Sequence, residues 1–157
     1  MNGSRFCKCD NITIVRRGLC TSCGDDGDKE YGHYWIEIGN ASYGWWPQGS
    51  VGAGSAGDLA AIGGVPGAIN QIGIPERGRR PPQDPYHGRR DGSDEAFNPR
   101  PGFWPRRGTC ASVCAAAASC IGNYARGYAG RSGGNWSLLG NSCRDFQKGA
   151  MGACGLQ

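Results

Sequence analysis

The clearest alternation of apolar and polar positions lies in His33-Tyr34-Trp35-Ile36-Glu37-Ile38. Tyr34, Ile36 and Ile38 fall on one face of a strand, and His33, Trp35 and Glu37 on the other. A second aromatic run, Ser42 to Trp46, follows Gly39-Asn40, so residues 31–48 read as a β-hairpin. Loop length sets its register. If Gly39 to Ser42 form the loop, Ile36 faces Trp45, Trp35 faces Trp46 and His33 faces Gln48; if only Gly39-Asn40 do, His33 faces Trp46.

Helical spacing takes over in the last third of the chain. Val113, Ala117, Ile121, Tyr124 and Tyr128 recur on one stripe, Ala115 to Ala118 favour helix strongly, and Thr109 can cap, which predicts a helix over 109 to about 128 and a turn over 127–135. Cys143, Phe146, Ala150 and Cys154 form a second stripe, with Asn141 or Ser142 as cap and Gly155 as stop. Residues 49–74 are Gly, Ala, Ile and Val with little periodicity. Their glycines lack the strand-then-helix setting and the lysine of a phosphate-binding loop, so the stretch reads as loop and no nucleotide site is expected. Residues 75–108 mix prolines with Arg77, Arg79, Arg80, Arg89, Arg90, Arg100, Arg106 and Arg107, the composition of an extended, solvated surface loop. Together these elements predict an α+β fold: one small antiparallel sheet against two or three helices, with long Gly/Pro/Arg-rich loops.

Length and composition fit one domain over 1–157, with a Cys-rich region at 1–30 and the Arg/Pro-rich loop at 75–108. In 157 residues, 29 glycines and 38% apolar residues imply a modest core. No segment approaches a membrane span. Arg5, Lys8, Arg16 and Arg17 interrupt residues 1–20 and deny them the apolar run of a secretory signal, so any export is expected by another route, and the start at Met1-Asn2-Gly3-Ser4 suits a domain cut from a larger carrier polypeptide and a free-standing gene product equally. The net charge of +4, with its arginines in the middle loop, fits solubility, an anionic polymer or an acidic partner. Nucleic acid is the weakest of these, because the aromatics cluster in the hairpin rather than between the arginines.

The chain has nine cysteines, an odd number, and setting Cys143 aside leaves eight that can pair. Cys7, Cys9, Cys20 and Cys23 form one candidate group for disulfides and Cys110, Cys114, Cys120 and Cys154 another, staples that suit a thin core in an oxidising compartment. Structural zinc on Cys7, Cys9, Cys20 and Cys23 is the rival. The Cys-x-Cys spacing of the first pair favours disulfides, so no cofactor is expected.

Cys143 stands apart because its stripe places it in the first turn of a helix, where unpaired backbone N–H groups and the positive end of the helix dipole suit an anion. It is a candidate nucleophile. The chain has two histidines, and His33, on the hairpin, is the candidate base. Gln48 is the first candidate to orient it, with Tyr43, Glu37 and His87 as alternatives. Trp35 and Trp46 are candidate substrate contacts, as is Trp45, for which core packing is an equal reading.

The Gly32-His33 strand, the Tyr43-Gly44-Trp45-Trp46-Pro47 strand and the late Asn141-Ser142-Cys143-Arg144-Asp145-Phe146 segment resemble the circularly permuted papain-like hydrolases. That group includes lecithin-retinol acyltransferase-like proteins and permuted NlpC-type cell-wall peptidases, and the nearest resemblance is to toxin domains of bacterial secreted effectors. The likeness covers roughly residues 32–48 and 136–154, and departs from the pattern at Ser142, where relatives often carry asparagine. It implies Cys143 as nucleophile, His33 as base, and a polar residue on the neighbouring strand as orienter. The implied function is an antibacterial cysteine hydrolase that cleaves amide bonds, by preference in peptidoglycan stem peptides of the target periplasm, with an acidic immunity protein as partner. A protease, deamidase or acyltransferase acting on protein or lipid shares this chemistry. A non-catalytic cysteine-rich binding module, with Cys143 disulfide-bonded, is the reading from another class.

Overall fold

The structure, a computed structural model, describes residues 7–17, 33–47, 65–70, 82–90, 92, 94–102, 108–131, 135–137 and 141–157. Its strands are β1 (Ile12–Arg17), β2 (His33–Ile38), β3 (Ala41–Pro47), β4 (Val65–Ile69), β5 (Asp94–Phe97) and β6 (Asn135–Trp136), and its helices α1 (Cys110–Arg131) and α2 (Cys143–Ala153). The strands form one antiparallel sheet in the order β5-β1-β2-β3-β4-β6. The fold is therefore α+β, a small antiparallel sheet with two helices.

The predicted hairpin is β2–β3, and its loop is the short one. Trp35 pairs with Gly44, Ile36 with Tyr43 and Ile38 with Ala41, leaving Gly39-Asn40 as the turn. Gly39 adopts φ 57, a conformation that glycine takes without steric cost and that matches a tight hairpin turn to the strand twist. The register with Ile36 opposite Trp45 is thereby excluded, and His33 lies beside Trp46 with ring centroids 3.9 Å apart.

Period-2 patterning then sorts the side chains. Ile12, Ile14 and Ile36 meet Cys114, Ala117, Ile121, Ala150 and Met151 of the helices in one buried cluster. Trp45, Ile69, Ala125, Tyr128, Trp136 and Phe146 form a second, in which Tyr128 stands edge-on to both Trp45 and Phe146. Helix α1 begins at the expected cap, with Thr109 Oγ1 accepting from the Ser112 N–H at 3.0 Å. It runs to Arg131, three residues past the expected end, which shortens the connection to β6. Helix α2 starts after Ser142, whose backbone N–H is taken by the Asp145 carboxylate at 2.8 Å.

Two segments read as loop carry strands. β4 lies within residues 49–74, where Gly67 packs against the face of the Trp45 ring, and β5 lies within the Arg/Pro-rich stretch as the edge partner of β1. Neither has the strict alternation that marks a half-buried strand. Two of the pairs cross the expected groups, Cys7 with Cys110 and Cys9 with Cys114, while Cys120 pairs with Cys154 within the second group. The zinc set therefore loses Cys7 and Cys9 to disulfides, and Cys20 and Cys23 lie outside the described residues. Sulfurs of Cys7, Cys110 and Cys114 crowd together because two disulfides sit side by side, and a disulfide sulfur has no thiolate to offer a metal. No described helix is long and apolar enough to cross a membrane.

Candidate active site

The face of the sheet away from the helices carries Arg17, His33, Trp35, Glu37, Ser42 and Trp46, and the turn at 84–88 closes over it. That turn is fastened at several points. Asp84 N–H donates to Ser42 Oγ at 2.6 Å, the Gly88 N–H donates to Glu37 Oε1 at 3.0 Å, and Arg90 pairs with Glu37 Oε2 at 2.8 Å. Asn70, held at φ 62, links strands beneath it by donating to Ser42 O and accepting from the Gly44 N–H.

The consequence is a fully engaged carboxylate. Asp84 is 2% exposed; its Oδ2 meets His33 Nε2 at 2.8 Å and the Trp46 indole N–H at 2.7 Å, while its Oδ1 accepts the Tyr86 N–H at 2.8 Å. Trp46 and Tyr86 hold the carboxylate in place from two directions, so the imidazole has one orientation. Gly44 lies directly under the pair: a methyl group there would overlap Asp84 Oδ2 and stand 2.8 Å from His33 Nε2.

Cys143 reaches the same histidine from the opposite side. It occupies the first position of α2, is half-buried, and is the one free cysteine among the described residues. The Tyr34 backbone N–H, next to His33 in β2, donates to its sulfur at 3.4 Å. Gln147, one turn further along α2 and fully buried, locks this placement by donating to the carbonyls of Val15 and Trp35 at 2.9 and 2.8 Å, and by accepting from Arg16 Nε.

Burial lowers the affinity of the His33 ring for a proton, but the Asp84 charge and hydrogen bond, and next the Cys143 side chain, more than reverse this and raise its pKa from 6.5 to about 9. With Nε2 committed to Asp84, Nδ1 is the nitrogen that faces the thiol chemistry. A half-buried cysteine, a buried imidazole and a buried carboxylate in series make an arrangement suited to nucleophilic thiol chemistry.

No protein-family model, curated protein or solved structure matches this chain. Geometry therefore carries the functional reading. Cys143 and His33, 110 residues apart in sequence, are brought together. Gln48 lies outside the described residues. Tyr43 points to the helix face, packing between the two core clusters, and does not approach His33. Glu37 shares the face of His33 but is spent on Trp35, Gly88 and Arg90. Trp35 is fully buried and Trp46 nearly so, stacked around the imidazole. They back the histidine, and Cys143 is less buried than His33 or Asp84. Asp84 itself has only a faint signal in sequence: an Asp-Pro step opening a turn, 51 residues from His33.

Proposed function

We propose that the protein is a cysteine hydrolase acting on amide bonds, with Cys143 as nucleophile, His33 as acid and base, and Asp84 as the residue that positions the ring. The observation that carries this reading is the Asp84–His33 hydrogen bond at 2.8 Å inside a closed aromatic pocket whose other side is Cys143. The sulfur attacks as thiolate on the substrate carbonyl. His33, held as imidazolium at neutral pH, protonates the leaving amine, and the neutral ring then draws a proton from the water that releases the acyl group. Backbone N–H groups in the first turn of α2, which Cys143 opens, are the donors for the oxyanion in this reading.

The permuted papain-like resemblance makes peptidoglycan stem peptides the preferred substrate and a secreted antibacterial effector the preferred role. Three disulfides among the described residues favour an oxidising site of action such as the periplasm. Against the binding-module reading stands the free state of Cys143 while Cys7, Cys9, Cys110, Cys114, Cys120 and Cys154 are paired. Bacteria expressing the domain in the periplasm should lyse and accumulate cleaved muropeptides, and Cys143→Ala or His33→Ala should abolish both. Lysis that persists in Cys143→Ala would end the thiol-hydrolase reading, and toxicity confined to the cytoplasm would move the substrate to protein or lipid.

A further inference from the structure

A cluster of cations lies beside the nucleophile, outside the catalytic series. Tyr34, whose N–H touches the Cys143 sulfur, has the Arg16 guanidinium carbon 5.6 Å from its ring centroid and that of Arg144 also at 5.6 Å. Arg16 arrives from β1, where it pairs with Tyr34 in the ladder, and Arg144 directly follows Cys143 in α2. Two separate elements, β1 and α2, thus deliver positive charges to the ring of the residue whose backbone N–H meets the sulfur.

Among the described residues, their neighbours do not neutralise them. Arg16 gives its Nε to Gln147 Oε1 and one terminal nitrogen to the Met151 sulfur, both neutral, and Phe97 lies under it at 5.1 Å. Asp145, the acidic residue of the first turn, is turned back onto Ser142. Among the described residues neither arginine has a carboxylate at ion-pair distance. Arg144 also sits in the first turn of a helix, where the dipole disfavours a cation. Two like charges on one ring at a helix start cost energy unless an anion joins them, and a carboxylate accepts well from paired guanidinium donors.

We infer that Arg16, Tyr34 and Arg144 form a carboxylate-binding subsite, so that the substrate is a peptide bearing a free carboxylate close to the scissile amide. This rests on Cys143 being the nucleophile. Arg144, exposed at the edge, makes the adjustable contact; Arg16, partly buried and anchored by Gln147, supplies fixed charge behind it.

Alkylation of Cys143 tests the subsite without needing the natural substrate. Iodoacetate carries the carboxylate and iodoacetamide is its neutral counterpart; both transfer their carbon to sulfur with loss of iodide. The full chain is treated with each reagent, and labelling at Cys143 is followed by mass spectrometry. The ratio of the iodoacetate to the iodoacetamide rate should exceed that of a free thiol under the same conditions, should fall roughly tenfold in Arg144→Ala, should recover in part in Arg144→Lys, and should shrink as salt is raised. A ratio equal to that of a free thiol and unchanged in Arg144→Ala overturns the subsite while leaving the nucleophile intact. If Cys143 reacts with neither reagent, the nucleophile reading fails, and the subsite with it.

Discussion

Replacing Asp84 by asparagine keeps the shape of the site and removes the charge that controls His33. A histidine whose pKa rises from 6.5 unfolded to about 9 folded binds its proton more tightly in the native state by ~3 kcal/mol. The sign follows from the direction of the shift. Because the folded value is the higher one, this stabilisation is complete below pH 6.5, mostly present at pH 7, and lost as pH rises through 9. In Asp84→Asn, burial is no longer opposed by the carboxylate, so the ring pKa drops by more than about one pH unit and the variant forfeits this pH-dependent stability. Urea unfolding of both proteins at intervals from pH 6 to 10 should show a stability difference of at least ~1.4 kcal/mol at pH 6. It should decline toward high pH with a slope of at most ~1.4 kcal/mol per pH unit, the signature of one proton. The chain has two histidines, so NMR titration of the ring nitrogens reports the midpoint of His33 directly. Parallel stability profiles for the two proteins, or a wild-type His33 that titrates near 6.5, would refute the electrostatic account of the site.

Other consequences are equally concrete. Hydrolysis should keep its rate up to about pH 9 and fall above it as the imidazolium is lost, with that limb moved to lower pH in Asp84→Asn. Gly44→Ala should push Asp84 off His33, lowering kcat/KM at least roughly tenfold while far-UV circular dichroism stays native; a fully active Gly44→Ala would show that the pair is dispensable. Gln147→Ala strips partners from two buried carbonyls and from Arg16, and should cost ~3 kcal/mol in urea unfolding; a loss below about 1 kcal/mol would mean that α2 is held by apolar packing alone. Replacing Cys9 and Cys114 by serine opens a link spanning 105 residues and should cost ~2–5 kcal/mol, read as a lower Tm than the disulfide-bonded protein.

The local elements near the site were legible because their signals are local. Alternation from His33 to Ile38 marks a strand, Thr109 and Ser142 mark helix starts, and the stripe through Phe146 and Ala150 marks the buried side of α2. Cys143 and His33 stood out for similar reasons, as a thiol at a helix start and one of two histidines. The strands β4 and β5 did not stand out. β5 is short, with mixed exposure, and its identity depends on the neighbour it pairs with rather than on its own pattern.

Sequence alone therefore determined which residue types could do chemistry and which short segments would be helix or strand, since capping, periodicity and turn preference act over a few residues. Only the tertiary structure decided the hairpin register, the pairing of Cys7 and Cys9 with α1, and the placement of Asp84, rather than Tyr43 or Glu37, on His33. The register turned on which of two loops the hairpin closes with, and the other two depend on contacts between segments dozens of residues apart. Their outcome is set by which buried charges and donors can all be satisfied together: Asp84 can enter the pocket because Trp46, Tyr86 and His33 use its oxygens and Gly44 leaves it room.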